Sequence, residues 1–245
     1  MPNIIHPLST PLRNTAIPTT DPDAGLKVSE IFYSLQGEAL TAGLPTIFIR
    51  LTGCPLRCVY CDTEYAFSGG ERMSLNEILA KCQTFNCKRI CLTGGEPLAQ
   101  PNAIALMQLL LANGYEISLE TAGALSVKAV PVAVSKVMDI KTPSSGEADK
   151  NLWENLNYLT KHDQLKLVIV NRDDYDWAKA KLAEYDLANK VNTVWFSPMF
   201  NVYDDRAPEV PSLATELAEW ILADALPVRF QLQLHKIIWA DAKGK

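Results

Sequence analysis

The sequence predicts an α/β fold whose parallel sheet curves into an incomplete barrel. Three observations predict it. Strand-like and helix-like runs alternate along most of the chain, as they do in βα units built around a parallel sheet. About seven strands follow the opening one, short of the eight that close a barrel. The residues best suited to chemistry, Cys54, Thr93, Glu120, Lys141, Ser197 and His235, all follow strand C-termini. Right-handed βα connections place those ends on one face, and in parallel α/β proteins that face carries the active site.

The chain has 245 residues, 48% of them hydrophobic and 21% charged, enough to fill the core of one domain. That domain is expected over residues 26–245. Residues 1–25, with Pro7, Pro11, Pro18 and Pro22, read as an extended arm without the apolar segment of a secretory signal. The net charge is −5 with no basic stripe, so a nucleic-acid partner is not expected. No apolar run approaches membrane-spanning length. Six cysteines, three of them in one short motif, argue for a reducing cytoplasm rather than a disulfide framework.

Taken in order, residues 28–34 alternate loosely as a strand and run into the polar turn Leu35-Gln36-Gly37-Glu38. Residues 46–51 are nearly all apolar, as in a strand buried on both faces. Arg50 is the charge within that run, readable as a rim arginine or as an anion anchor. Ser74-Leu75-Asn76-Glu77 is a capping box that opens a helix to about Cys82. A strand over 89–92 leads into Thr93-Gly94-Gly95-Glu96-Pro97, and a helix over 102–112 closes at Asn113-Gly114. Strands follow at 116–120, within 132–140, at 165–170, 193–196 and 229–234, with His235 ending the last. Helices are expected over 152–159, 173–187 and 212–225.

Two motifs carry the chemistry. Cys54, Cys58 and Cys61 lie within eight residues, spaced C-x3-C-x2-C, with the aromatic Tyr60 before the last and Asp62 after it. Thiolates are soft ligands for iron–sulfur clusters, copper(I) or zinc. A 4Fe–4S cluster normally takes four cysteines, so three leave one iron open to a ligand that is not protein. A zinc knuckle or reduced structural thiols are the plainer readings, although zinc usually takes ligand pairs set further apart. In Gly94-Gly95-Glu96-Pro97, two glycines let a ligand approach the backbone, and Glu96 offers an acceptor for an ammonium group. Alone, that motif is also an ordinary βα turn. Cys82, Cys87 and Cys91 read as small buried hydrophobes rather than a second cluster.

Together these motifs resemble the radical S-adenosylmethionine (SAM) superfamily. The finer pattern resembles 7-carboxy-7-deazaguanine synthase. It rests on Ser34-Leu35-Gln36-Gly37-Glu38, on residues 48–54, on Cys58, and on Tyr60-Cys61-Asp62-Thr63. It continues through residues 92–97, Glu120-Thr121-Ala122-Gly123, residues 139–146 and Gln233-Leu234-His235-Lys236. The resemblance implies a partial barrel of the radical SAM type and a 4Fe–4S cluster on the catalytic Cys54, Cys58 and Cys61. It implies ring contraction of 6-carboxy-5,6,7,8-tetrahydropterin to 7-carboxy-7-deazaguanine with loss of ammonia, in the biosynthesis of queuosine precursors. Leu35, Gln36, Gly37 and Glu38, with Arg50 and Thr93, would bind the pterin. Tyr60, Cys61, Asp62, Gly94, Gly95 and Glu96 would hold SAM, helped by Glu120, Lys141 and Ser144. His235 and Ser197 join the substrate and SAM sets from their places on the active face. Thr63 would bind Mg2+. A flavodoxin- or ferredoxin-type reductant and a homodimer are implied likewise. Two departures stand out: Ala122 replaces the Asn common in the family, and the arm is longer than usual.

Two other readings compete. A glycyl-radical activating enzyme would share the superfamily but act on a protein. A non-enzymatic iron–sulfur or zinc protein would ligate its metal fully and leave Gly94-Gly95-Glu96 without a purpose.

Overall fold

The computed structural model describes residues 25–199, 212–240, 242 and 244–245. The expected arm lies outside the described residues except for Gly25. The described residues begin with β1 (Gly25–Leu35), β2 (Pro45–Leu51), β3 (Glu71–Ser74), α1 (Leu75–Gln83) and β4 (Arg89–Gly94). It continues with α2 (Ala103–Ala112), β5 (Glu116–Thr121), β6 (Ser135–Asp139) and β7 (Gln164–Ile169). Then come α3 (Arg172–Glu184), α4 (Leu187–Lys190), β8 (Thr193–Pro198), α5 (Leu213–Asp224), β9 (Arg229–Phe230) and α6 (Leu234–Trp239).

The nine strands among the described residues form one open sheet in the order β3-β1-β2-β4-β5-β6-β7-β8-β9. From β2 to β9 the pairing is parallel; β1 is antiparallel to both β2 and β3. This is the expected incomplete α/β barrel, with an antiparallel edge added. β3 does not stand out in the sequence because Glu-Arg-Met-Ser is short, largely polar and mostly exposed. Only pairing with β1 makes it a strand.

The period-two alternation of each strand sorts the side chains. Ile47, Ile49, Leu51, Ile90, Leu92, Leu119, Leu165, Leu167 and Phe196 are buried in the hydrophobic core. The alternate residues Phe48, Arg50, Cys91, Thr93, Glu120, Asp139, Lys166 and Ser197 line a cavity inside the curve. Ser74 caps α1 reciprocally with Glu77, whose N–H donates to Ser74 Oγ at 3.2 Å while the Ser74 N–H donates to Glu77 Oε2 at 2.7 Å. Ser74→Ala is expected to lower stability by about 1 kcal/mol, read from the urea midpoint. An unchanged midpoint would show that packing alone holds α1.

Three expected elements differ. The helix over 152–159 is a 3-10 helix at Trp153–Tyr158; there the buried Asn155 amide donates to the carbonyls of Gly123 and Leu125. The helix over 173–187 breaks at Asp186, whose φ of 51° is left-handed. The last strand holds only two residues, and His235 stands in α6 rather than at a strand end. There the backbone leaves the sheet to meet the β1–β2 turn. Leu234 N–H donates to the Gly37 carbonyl at 3.1 Å, and Ala39 N–H to Gln231 Oε1 at 2.6 Å. Leu40 N–H reaches Gln164 Oε1 at 3.0 Å. The β1–β2 turn thus reaches across to β7 and to the segment after β9.

Candidate active site

The cavity, about 280 Å³, sits at the C-terminal ends of the parallel strands. It gathers Cys54, Cys58, Cys61, Leu35, Gln36, Gly37, Glu38, Arg50, Thr93 and His235 from the expected set. Tyr60, Asp62, Thr63, Gly94, Gly95, Glu120, Lys141 and Ser197 also line it. Two expected residues do not. Ser144 accepts from Asn171 Nδ2 at 3.1 Å, and its N–H donates to Asp174 at 3.0 Å, away from the cavity wall. Glu96 is fully buried, its carboxylate accepting from the Leu98 amide at 3.0 Å, the Ala122 amide at 2.7 Å and the Thr121 hydroxyl at 3.0 Å. It joins the turn after β4 to the turn after β5.

The cysteine loop leaves β2 through Gly53 and is held by its neighbours. Val59 N–H donates to the Ser145 carbonyl at 3.0 Å, and Arg57 N–H to Glu147 Oε1 at 2.6 Å. The three thiols are free and half-buried, and burial pushes all three up from the ordinary thiol range. Among the described residues, no three His, Cys, Asp or Glu side chains converge as ligands of a single ion. A four-iron cluster holds its thiolates at separate corners. Cys54, Cys58 and Cys61 all line the cavity as free thiols, the soft ligands that such a cluster takes. Thr63 Oγ1 donates to Asp62 Oδ1 at 2.7 Å, and these are the hard oxygens that Mg2+ prefers.

Charged side chains line the same cavity as the cysteines. Lys166 Nζ lies 2.8 Å from Glu38 Oε2 and 3.9 Å from Asp139 Oδ2; Lys141 Nζ lies 3.0 Å from that same Asp139 oxygen. Burial pushes the Glu38 carboxyl up, but the Lys166 charge and the donors Lys166 and Gln233 outweigh it and hold the pKa at about 2. Burial raises Glu120 to about 7, against the pull of Lys166 and with the repulsion of Glu38 and Asp139. Burial lowers His235 from the usual imidazole value. Gln36 Nε2 and Asp139 Oδ1 are buried without a hydrogen-bond partner. Such orphaned groups in a cavity wall are what a bound ligand satisfies.

Lys166 and Asp139 have no assigned role in the sequence reading. Lys166 carries the signal that marked Arg50, a single charge inside an apolar strand, Gln-Leu-Lys-Leu-Val-Ile.

Residues 48–133 match the Radical SAM superfamily. The 7-carboxy-7-deazaguanine synthase of Koribacter versatilis is 43% identical over 226 residues, which span 89% of this chain and 100% of that one. The enzyme of the same name from Chlorobaculum tepidum is 40% identical, covering 91% and 98% of the two chains. Among solved structures, QueE from Escherichia coli superposes with a TM-score of 0.69 over 86% of this chain and 95% of that one. At 23% identity, that likeness carries the fold alone.

Proposed function

The chain belongs to the 7-carboxy-7-deazaguanine synthase family of the radical SAM superfamily, and on that premise we propose how its cavity divides the work. The enzyme is a lyase: the ring of 6-carboxy-5,6,7,8-tetrahydropterin contracts to 7-carboxy-7-deazaguanine, and ammonia leaves. A 4Fe–4S cluster with SAM, when bound, supplies a radical that takes one hydrogen atom from the substrate and returns it.

Cys54, Cys58 and Cys61 would hold the cluster and leave one position for SAM. The turn at Gly94-Gly95, packed against the backbone of Leu51 and Gly53, offers SAM its main chain at the cavity wall, with Tyr60, Asp62, Glu120, Lys141 and Ser197 around it. Glu96 and Ser144 act at one remove, by fixing the turns behind that surface. Arg50 takes the substrate carboxylate, an anion its guanidinium can grip with two bonds. Gln36 Nε2 meets an acceptor on the pterin edge, with Leu35, Gly37, Thr93 and His235 completing the floor. Glu38 acts through Lys166 and the C-terminal segment. Thr63 would bind Mg2+, which would also take a substrate oxygen. We place this single domain of residues 26–245 in the cytoplasm, as a homodimer served by a flavodoxin- or ferredoxin-type reductant. No helix among the described residues is long and apolar enough to cross a membrane.

The observation that carries the reading is one cavity joining three free thiols to Arg50 and to the orphaned Gln36 amide. The protein, reconstituted anaerobically and reduced, is expected to convert 6-carboxytetrahydropterin to 7-carboxy-7-deazaguanine in excess of SAM consumed, read by mass spectrometry. SAM cleavage without that product would overturn the substrate. No cleavage by a verified, reducible cluster would overturn the radical chemistry.

A further inference from the structure

Arg50 does not stand alone in the cavity wall. It pairs across the antiparallel ladder with Glu30 on β1, and their side chains meet there, Arg50 Nε to Glu30 Oε1 at 2.7 Å. That same Glu30 oxygen accepts from the Tyr65 hydroxyl at 2.9 Å. Tyr65 belongs to a 3-10 helix, Glu64–Phe67, that begins directly after Thr63. The guanidinium carbon lies 5.9 Å from the Phe32 ring centroid and 5.8 Å from that of Tyr65. Phe32 is itself stacked on Phe48 at 4.9 Å.

These contacts leave the guanidinium little freedom. Two rings flank it, and its inner nitrogen is held by an acceptor anchored one strand away. Its two terminal nitrogens make no hydrogen bond among the described residues, and the residue lines the cavity. A guanidinium fixed in this way presents its outer edge as a preformed fork for a planar carboxylate. Without the anchor the same side chain would sweep several rotamers, and each hydrogen bond to the ligand would carry the cost of freezing them.

We propose that Glu30 and Tyr65 are positioning residues that hold Arg50 for the substrate's 6-carboxylate, and so set the preference for a carboxylated pterin. The inference rests on Arg50 being the carboxylate grip, as proposed above. It also links two parts of the site. The hydroxyl that steadies Glu30 comes from the segment carrying Thr63, so the carboxylate fork and the oxygen donors beside it move as one unit.

The test compares two ligands: 6-carboxytetrahydropterin and tetrahydropterin without the carboxylate. In the full-length reconstituted enzyme, Glu30→Gln is expected to raise KM and Kd for the carboxylated pterin about ten- to a hundredfold, the span of one charged hydrogen bond. Turnover at saturation falls much less, and Kd for the uncarboxylated ligand does not change. In an Arg50→Lys background, Glu30→Gln adds nothing. Equal losses for both ligands, or wild-type KM in Glu30→Gln, would overturn the proposal. If Glu30→Gln fails to fold, Tyr65→Phe decides alone. That variant removes one hydroxyl and is expected to lower the preference for the carboxylated ligand at least about threefold; an unchanged preference rejects the idea. A wild-type enzyme that makes no deazaguanine would instead reject the function itself.

Discussion

Gly95→Ala is expected to abolish activity through the cysteine loop rather than through the β4 turn that carries it. A Cβ at residue 95 would run into the Gly53 carbonyl oxygen and stand 2.8 Å from Cys54 Cβ. The first obstacle is backbone, so no side-chain rotation relieves the clash. That carbonyl is also pinned, because it accepts from Glu96 N–H at 2.8 Å, while Gly95 N–H donates to Leu51 O at 3.1 Å. The strain has to leave through Cys54, the first residue of the motif. Displacing a reacting group by about 1 Å can cost about a hundredfold in rate. SAM cleavage is therefore expected to fall at least about a hundredfold, with iron per chain reduced after reconstitution. The unfolding midpoint changes far less, since the core strands are untouched. Wild-type iron content together with wild-type SAM cleavage in Gly95→Ala would show that the two turns do not press on one another.

Asp163→Ala is expected to produce the opposite pattern, a large loss of stability with the chemistry spared. Lys136 Nζ lies 2.9 Å from Asp163 Oδ1, and the two side chains are 3% and 0% exposed. Asp163 also accepts from the backbone amides of Lys136 and Thr160, at 2.9 and 2.7 Å. Removing the carboxylate strands a buried ammonium, which costs about 3–5 kcal/mol. For a domain of this size that lowers Tm by roughly 6–20 °C. The pair sits where β6 and β7 begin, at the end of the sheet opposite the cavity. At low temperature the folded variant is expected to turn over normally. Adding Lys136→Met to Asp163→Ala should recover only part of the loss, because the two amides remain unpaired. A Tm within a few degrees of wild type would mean that water reaches the lysine.

These two sites also mark what can be read along a chain. The cysteine motif, the Gly-Gly turn and the capping box are contiguous, and each works through atoms a few residues apart. Their chemistry is therefore written in local spacing. Seven strands after the opening one were legible for the same reason, since apolar alternation is a local pattern. The end of the chain was less so. Residues 229–234 look like one strand, but Gln231 and Gln233 turn their amides to Glu38, at 3.2 and 2.7 Å. That partner is almost the whole chain away.

Glu96 illustrates a subtler limit. Its place in the motif suggests a group offered to a ligand, yet both its oxygens are taken inside the protein. Glu30 shows the reverse. Nothing in its surroundings sets it apart in the sequence, and it gains significance only because β1 pairs with β2 in the one register that sets it against Arg50. A shift by one residue would turn it to the other face of the sheet.

The sequence by itself determined the class of fold, the face on which the candidate residues gather, the three-cysteine motif and the family. The tertiary structure decided which polar side chains face the cavity and which are spent holding it together. Lys166 with Glu38, Glu30 with Arg50, and Glu96 with Ala122 are each settled by contacts between distant segments. The reason is physical: a buried charge or amide takes its role from the partner that satisfies it, and that partner is chosen by strand register and packing, not by position along the chain.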